Sequence, residues 1–265
     1  MNAIIRTASL AAALSLITSQ AIAADGVLIV QKQTTDGATQ TSQIQIEKSR
    51  MRAEIAGRGG AKQVMVFDGT AQVMRIIDTE KKTYTEMTKA DVDRLGSQMA
   101  GAMAMVQEQM KNMPPEQRER MEAMMKGRGM PAAPAKTEYR KTGTDKVGKW
   151  TCDKYDGYQN NQKVAEICTV DPATLGFKAA DFDVTKQVAA FFQQLMPQNA
   201  GQMFTIGGTE QGYSGFPVRH MSSVGQRQTT TELSEVTRKA FDDASYAVPA
   251  GFQKQAFPGG RGRQQ

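Results

Sequence analysis

Val64-Met65-Val66-Phe67-Asp68-Gly69-Thr70-Ala71-Gln72-Val73-Met74-Arg75-Ile76-Ile77 decides the fold. Two short runs of β-branched, aromatic and other apolar residues flank an Asp-Gly turn signal, which is the pattern of two strands joined in a hairpin. The same pattern extends in both directions. Upstream, Met51, Ala53 and Ile55 alternate with Arg52 and Glu54, and Gln43-Ile44-Gln45-Ile46 alternates polar with apolar. Val27 to Val30 opens the series, and Thr83-Tyr84-Thr85 closes it downstream. Alternation places one set of side chains on a core face and the other on the opposite face. Residues 26–87 therefore read as an antiparallel meander.

The period then changes from two to that of a helix. Thr88 with Asp91 three residues on has the form of a capping box. Val92, Leu95, Met99, Met103, Val106, Met110 and Met113 follow at spacings of three and four, one apolar stripe on a long helix. Pro114-Pro115 ends it, because proline lacks the N–H that a helix interior needs. A second, shorter helix carries Met121, Met124 and Met125, and Gly127-Arg128-Gly129 stops it. Residues 88–135 are thus expected to be a helical hairpin plus linker, inserted between strands.

Strands resume at Thr137–Tyr139, Lys149–Tyr158 and Val164–Val170. Phe182, Val184, Val188, Phe191, Phe192 and Leu195 mark an amphipathic helix over residues 181–196. Pro217–Ser223 and Gln228–Val236 add two more strands, and Tyr246–Phe252 reads as extended. Cys152 and Cys168 are the two cysteines of the chain. In an oxidising compartment an even count reads as a disulfide, worth roughly 3 kcal/mol for a loop of this length. Setting them directly opposite each other in a hairpin would place Lys154 opposite Glu166 and Trp150 opposite Val170. It would need an odd-numbered loop centred on Asn160, since a two-residue Asn160-Asn161 turn shifts the register by one.

The first residues carry one charge, Arg6, then the apolar run Ala8–Thr18 and the small-x-small site Ala21-Ile22-Ala23. That layout is a secretory signal peptide over residues 1–23, too short in its apolar part to span a bilayer. The chain is expected in a periplasm or outside the cell, with no transmembrane anchor. Residues 24–252 are expected to form a single β-rich domain, and 253–265 a disordered tail. The 265 residues are 40% hydrophobic and 23% charged, a globular balance, and the net charge of +6 speaks to solubility rather than fold. Aromatic–basic clusters are absent, which argues against nucleic acid. The one histidine, His220, excludes a histidine metal cluster. Gly212–Phe216 lacks the glycine spacing of a nucleophile elbow, and Gly57–Gly60 lacks the lysine of a phosphate loop. The reading is therefore not an enzyme, and no cofactor is called for.

Methionine is the unusual component: the chain has 17, of which nine fall between Met99 and Met130. Flexible thioethers suit irregular core gaps, adaptable binding surfaces, or soft cations. Apolar ligand contacts would come from Leu95, Met99, Met103, Val106, Met110 and Phe191. A Cu(I) or Ag(I) site would instead use Met121, Met124, Met125 and Met130.

Several short pieces in order carry a resemblance: Lys48-Ser49-Arg50-Met51-Arg52, Phe67-Asp68-Gly69, Lys82-Thr83-Tyr84 and Pro114-Pro115-Glu116-Gln117. Thr142-Gly143, Gly148–Tyr155, Gly215–Val218 and Val248–Phe252 follow. With these the chain resembles the bacterial exported family catalogued as domain of unknown function 4412, which is similar in fold to periplasmic lipoprotein carriers of the LolA type. The resemblance implies an α+β fold. It consists of a strongly curved antiparallel sheet, a LolA-like half-barrel, with the methionine-rich hairpin and the further amphipathic helix on its concave face. By analogy of fold it implies a non-enzymatic binding module for an apolar ligand, namely an acyl chain, a lipid or a lipidated partner. The alternatives are a methionine-rich envelope protein that binds Cu(I) or Ag(I), or a structural envelope protein without a small ligand. One departure stands out: LolA-type carriers begin with a helix, whereas this chain enters a strand soon after residue 24.

Overall fold

The computed structural model describes residues 25–56, 62–111, 114, 117, 137–193, 195, 212–224 and 227–257. Six strands come first: β1 Val27–Thr35, β2 Ala38–Ile46, β3 Arg50–Ala56, β4 Lys62–Asp68, β5 Val73–Asp78 and β6 Thr83–Thr88. Helix α1, Lys89–Lys111, separates them from β7 Glu138–Val147, β8 Trp150–Gln159 and β9 Gln162–Val170. Two 3-10 turns, Pro172–Leu175 and Ala179–Phe182, lead into α2, Asp183–Phe192. Strands β10 Phe216–Val224 and β11 Arg227–Arg238, a third 3-10 turn Asp243–Tyr246 and β12 Gln253–Gln255 complete the order.

The twelve strands among the described residues belong to one sheet, ordered β12-β6-β5-β4-β3-β2-β1-β11-β10-β9-β8-β7. Two antiparallel meanders, β1–β6 and β7–β11, are joined where β1 pairs with β11. The sheet is strongly curved and does not close. Bulges supply part of the curvature, since each adds a residue to one strand and increases local twist. They fall between Val30 and Gln31 against β11, between Pro217 and Arg219 against β9, between Lys141 and Gly143 against β8, and between Gly157 and Tyr158 against β9.

The strands run further than their apolar parts. Expected over Val27–Val30 and Gln43–Ile46, β1 and β2 extend through Gln, Thr and Ser to a tight turn at Asp36-Gly37. Both turn residues have positive φ, 50° and 84°, as a hairpin turn matched to strand twist requires. Hydroxyl pairs support this polar end, with Thr34 and Thr39 oxygens 2.8 Å apart. Three further expectations are corrected. Tyr246–Phe252 is not extended throughout: Tyr246 ends a 3-10 turn capped by the Asp242 carboxylate. Residues 253–255, read as tail, form β12, which adds to β6 in parallel and makes the sheet not purely antiparallel. The amphipathic helix is shorter than 181–196, because a 3-10 turn with Asp181 bonded back to the Lys178 N–H occupies its first residues. The segment read as a signal peptide, and the second methionine helix apart from Gln117, lie outside the described residues.

The main core brings α2 onto the sheet. Val184, Val188 and Phe191 are fully buried among Val27, Ile29, Ile46, Phe67, Val218 and neighbours. Phe191 meets Phe67 edge-on at 5.5 Å. Gly69, at the β4–β5 turn, lets α2 approach: a Cβ there would lie 1.9 Å from the Gln187 side chain. Val64, Val66 and Ile77 form a separate apolar cluster, covered by Phe241, Tyr246, Val248 and Phe252 of the C-terminal segment.

Candidate binding surface

Helix α1 begins as its sequence requires. Asp91 accepts hydrogen bonds from the Thr88 hydroxyl (2.7 Å) and N–H (3.0 Å), and the Asp91 N–H donates back to Thr88 Oγ1 at 3.2 Å. These bonds, the hydroxyl's first, hold the Asp91 carboxyl below its ordinary value. Val92 is fully buried in the main core, Leu95 is half-buried and Gly96 is buried. From Ser97 to the end of the helix none of the described side chains is buried. Met99 is 50% exposed and Met105 is 66% exposed, the exposed large hydrophobics among the described residues. Six residues apart, they point about 120° away from each other around the helix axis. Val106 is half-buried, and the side chains of Met103 and Met110 lie outside the described set.

The structure therefore divides the apolar stripe. Its first turns anchor the helix, and its distal part carries exposed thioethers. Phe191 is sealed within the core against Phe67 and Phe192, with no exposed surface, whereas Met99 is half exposed. Met121, Met124, Met125 and Met130 lie outside the described residues. Met105 falls off the stripe, and only its exposure singles it out.

Cys152 and Cys168 form a disulfide with Cα atoms 5.5 Å apart. Its register corrects the expectation of a directly opposed pair. The turn is the two-residue Asn160-Asn161, with φ of 49° and 63°, and Gln159 pairs with Gln162. That turn alone would put the two cysteines on opposite faces, since a one-residue slip flips every side chain. The bulge at Gly157/Tyr158 restores the parity, so Lys154 pairs with Cys168 and the cysteines bond diagonally. The Lys154–Glu166 contact survives as a diagonal ion pair of 3.0 Å, while Trp150 pairs with Val147.

Among the described residues, two grooves on the sheet stand out. One, of about 360 Å³, is lined by Gln31, Gln33, Gln40 and Ser42 of β1 and β2 together with the apolar Ile44, Ala53 and Ile55. The other, of about 370 Å³, runs between β2–β5 and the C-terminal segment, over Gln45, Arg52, Glu54, Val64 and Ile77. Spacing could not reveal it, because its second wall comes from residues 244–249. Burial lowers the pKa of His220, which keeps it neutral at pH 7. Among the described residues no three His, Cys, Asp or Glu side chains gather as a metal site, and no helix is long and apolar enough to cross a membrane.

The family model described as Domain of unknown function (DUF4412) matches residues 88–252, from the cap of α1 to Phe252. The chain belongs to that family. The pieces at Lys48–Arg52, Phe67–Gly69 and Lys82–Tyr84 precede the matched region. No curated protein matches the chain. Among solved structures, an uncharacterized conserved protein from Thermus thermophilus aligns over 88% of this chain and 91% of its own, at 8% identity and a TM-score of 0.45. The LolA superfamily protein NE2245 from Nitrosomonas europaea aligns over 84% and 89%, at 6% identity and a TM-score of 0.27. The MucA/MucB complex of Pseudomonas aeruginosa aligns over 86% of this chain and 57% of that one, at 12% identity and a TM-score of 0.34. All three scores are low, so each is a loose likeness.

Proposed function

We propose that the chain is an exported, non-enzymatic binding module for an apolar ligand, an acyl chain, a lipid or a lipidated partner, and that distal α1 meets that ligand. One observation carries the reading: Met99 and Met105 stand exposed on a helix whose buried anchor is confined to its first turns. An exposed thioether surface is adaptable, because unbranched side chains re-pack around ligands of different shape. No charged residue interrupts the helix from Leu95 to Gln107, so an apolar partner meets no unpaired charge there. In this reading Leu95, Met99, Met103, Val106 and Met110 form the contact stripe and Met105 widens it, while Phe191, sealed in the core, stays out of the contact.

The test is equilibrium binding of a fluorescent acyl probe to the full chain, with native mass spectrometry of protein taken from its own compartment. Met99→Glu with Met105→Glu should weaken probe binding at least about tenfold, because each carboxylate would have to be desolvated. Unchanged binding in that double variant would sink the reading. Leucine at Met121, Met124, Met125 and Met130 should leave probe binding intact. If the parent instead takes up Cu(I), binds no probe, and loses the metal in the quadruple variant, the soft-metal function replaces this one.

A further inference from the structure

The groove of about 370 Å³ beside the C-terminal segment has a chemistry that the apolar-ligand reading does not use. Its floor is the outward row of β2–β5, where Gln45 pairs with Arg52, and Glu54, Val64 and Ile77 lie side by side. Ala247 and Pro249 stand opposite. Arg52 is the anomaly. Arg50, Arg75, Arg219 and Arg238, all less than a third exposed, each hold a carboxylate at 2.5–2.9 Å. Arg52 is as covered as they are, at 21%, yet its nearest carboxylate, Glu54, is 3.8 Å away, beyond hydrogen-bond reach. Across the strand pair, Gln45 Oε1 is buried with no donor. A half-desolvated guanidinium fork and an unpaired amide oxygen, side by side in a groove, are sites that an incoming acceptor and donor would satisfy.

We propose that this groove binds a small zwitterion with a short apolar body, of the amino-acid class. The ligand carboxylate takes the Arg52 fork, which is preorganised for planar, two-point contact. Its ammonium meets Glu54, with the Gln45 amide turning to offer its donorless oxygen, and its apolar body lies along Val64, Ile77, Ala247 and Pro249. Glu54 is what selects a zwitterion: beside Arg52 it repels a simple carboxylic acid and rewards an ammonium. An extended peptide backbone is disfavoured, because the ladder groups of β2–β5 are already paired with one another.

The experiment is calorimetric titration of the full chain with L-leucine, 4-methylpentanoate and 3-methylbutylamine, which share one body and differ in charge. L-leucine should bind saturably, and each single-charge analogue at least about tenfold more weakly, having lost one charge-assisted pair. Arg52→Gln should reduce leucine to the level of the amine. Ala247→Trp, at an exposed position, should block leucine even if the Arg52 variant folds poorly. Absence of saturable leucine binding overturns the proposal, as does leucine binding that survives Ala247→Trp. Equal binding of 4-methylpentanoate overturns the zwitterion. None of these outcomes touches the acyl-probe result, which concerns α1.

Discussion

Cys168 is fully buried and Cys152 nearly so, both within the core that holds α2, so their bond ties the β8–β9 hairpin together at its inner end. Replacing both cysteines with alanine should lower stability by about 3 kcal/mol, the chain-entropy value for a loop of this length. Urea unfolding measures it, and coincident midpoints for parent and variant would contradict it. His220 offers a second single-residue test. Burial depresses its folded pKa below the unfolded value, so the unfolded chain takes up the proton first as pH falls. Stability is complete above about pH 6.5 and is lost as pH drops from there through the folded pKa. Because the chain has one histidine, the interval between that pH and the carboxylate range reports on this residue. His220→Gln should flatten the slope of melting temperature against pH between about 6.5 and 5. An unchanged slope would assign it elsewhere.

Helices α1 and α2 show what can be read from an element and what cannot. The capping box of α1 was legible, because Thr88 and Asp91 bond locally and need no tertiary partner. The stripe was also legible as a stripe. Which part of it is buried was not, since Val92 and Met99 look alike in sequence and differ only in whether the body lies beneath them. Amide hydrogen exchange should therefore divide α1, slow around Val92 and fast beyond Ser97, because protection follows burial and local contact. Uniform protection along the helix would mean that distal α1 is covered in solution and is not a free binding surface. The case of α2 is the reverse. Its spacing marked an amphipathic helix, and its apolar face is fully buried. Phe191→Ala should cost about 3–5 kcal/mol, as for large aromatic truncations in cores, read from the denaturation midpoint. A loss below about 1 kcal/mol would show that the site collapses around the missing ring.

Across the whole molecule, individual strands were legible from alternation, while their order was not. Pairing of β1 with β11 joins residues some two hundred positions apart, and neither strand carries a local signal for the other. The bulge that places the cysteines, and the strand β12, leave no mark in hydrophobic period either. The C-terminal segment matters most here, because one face of β4–β6 depends on it. Phe241, Tyr246, Val248 and Phe252 cover Val64, Val66, Ile77 and Tyr84, while Arg50 lies 4.4 Å over the Tyr246 ring and bonds Asp243 at 2.6 Å. Lys254 closes the far end on Glu86 at 2.7 Å. The exposed ion pairs add little, so the apolar cover contributes most of the stabilisation, at about 1.5–3 kcal/mol for each large side chain fully buried. The opposite edge protects itself differently, since β7 carries Arg140, Lys141, Lys146 and the Gly143 bulge, devices that discourage edge-to-edge pairing. Ending the chain after Lys239 should thus leave the α2 core and the disulfide in place but uncover an apolar sheet face beside the β6 edge. The expected outcome is strong binding of a hydrophobic dye and concentration-dependent self-association, with far-ultraviolet dichroism little changed. A truncated chain that stays monomeric and binds no dye would show that the β4–β6 face has another cover, and that the C-terminal segment is not what completes the fold.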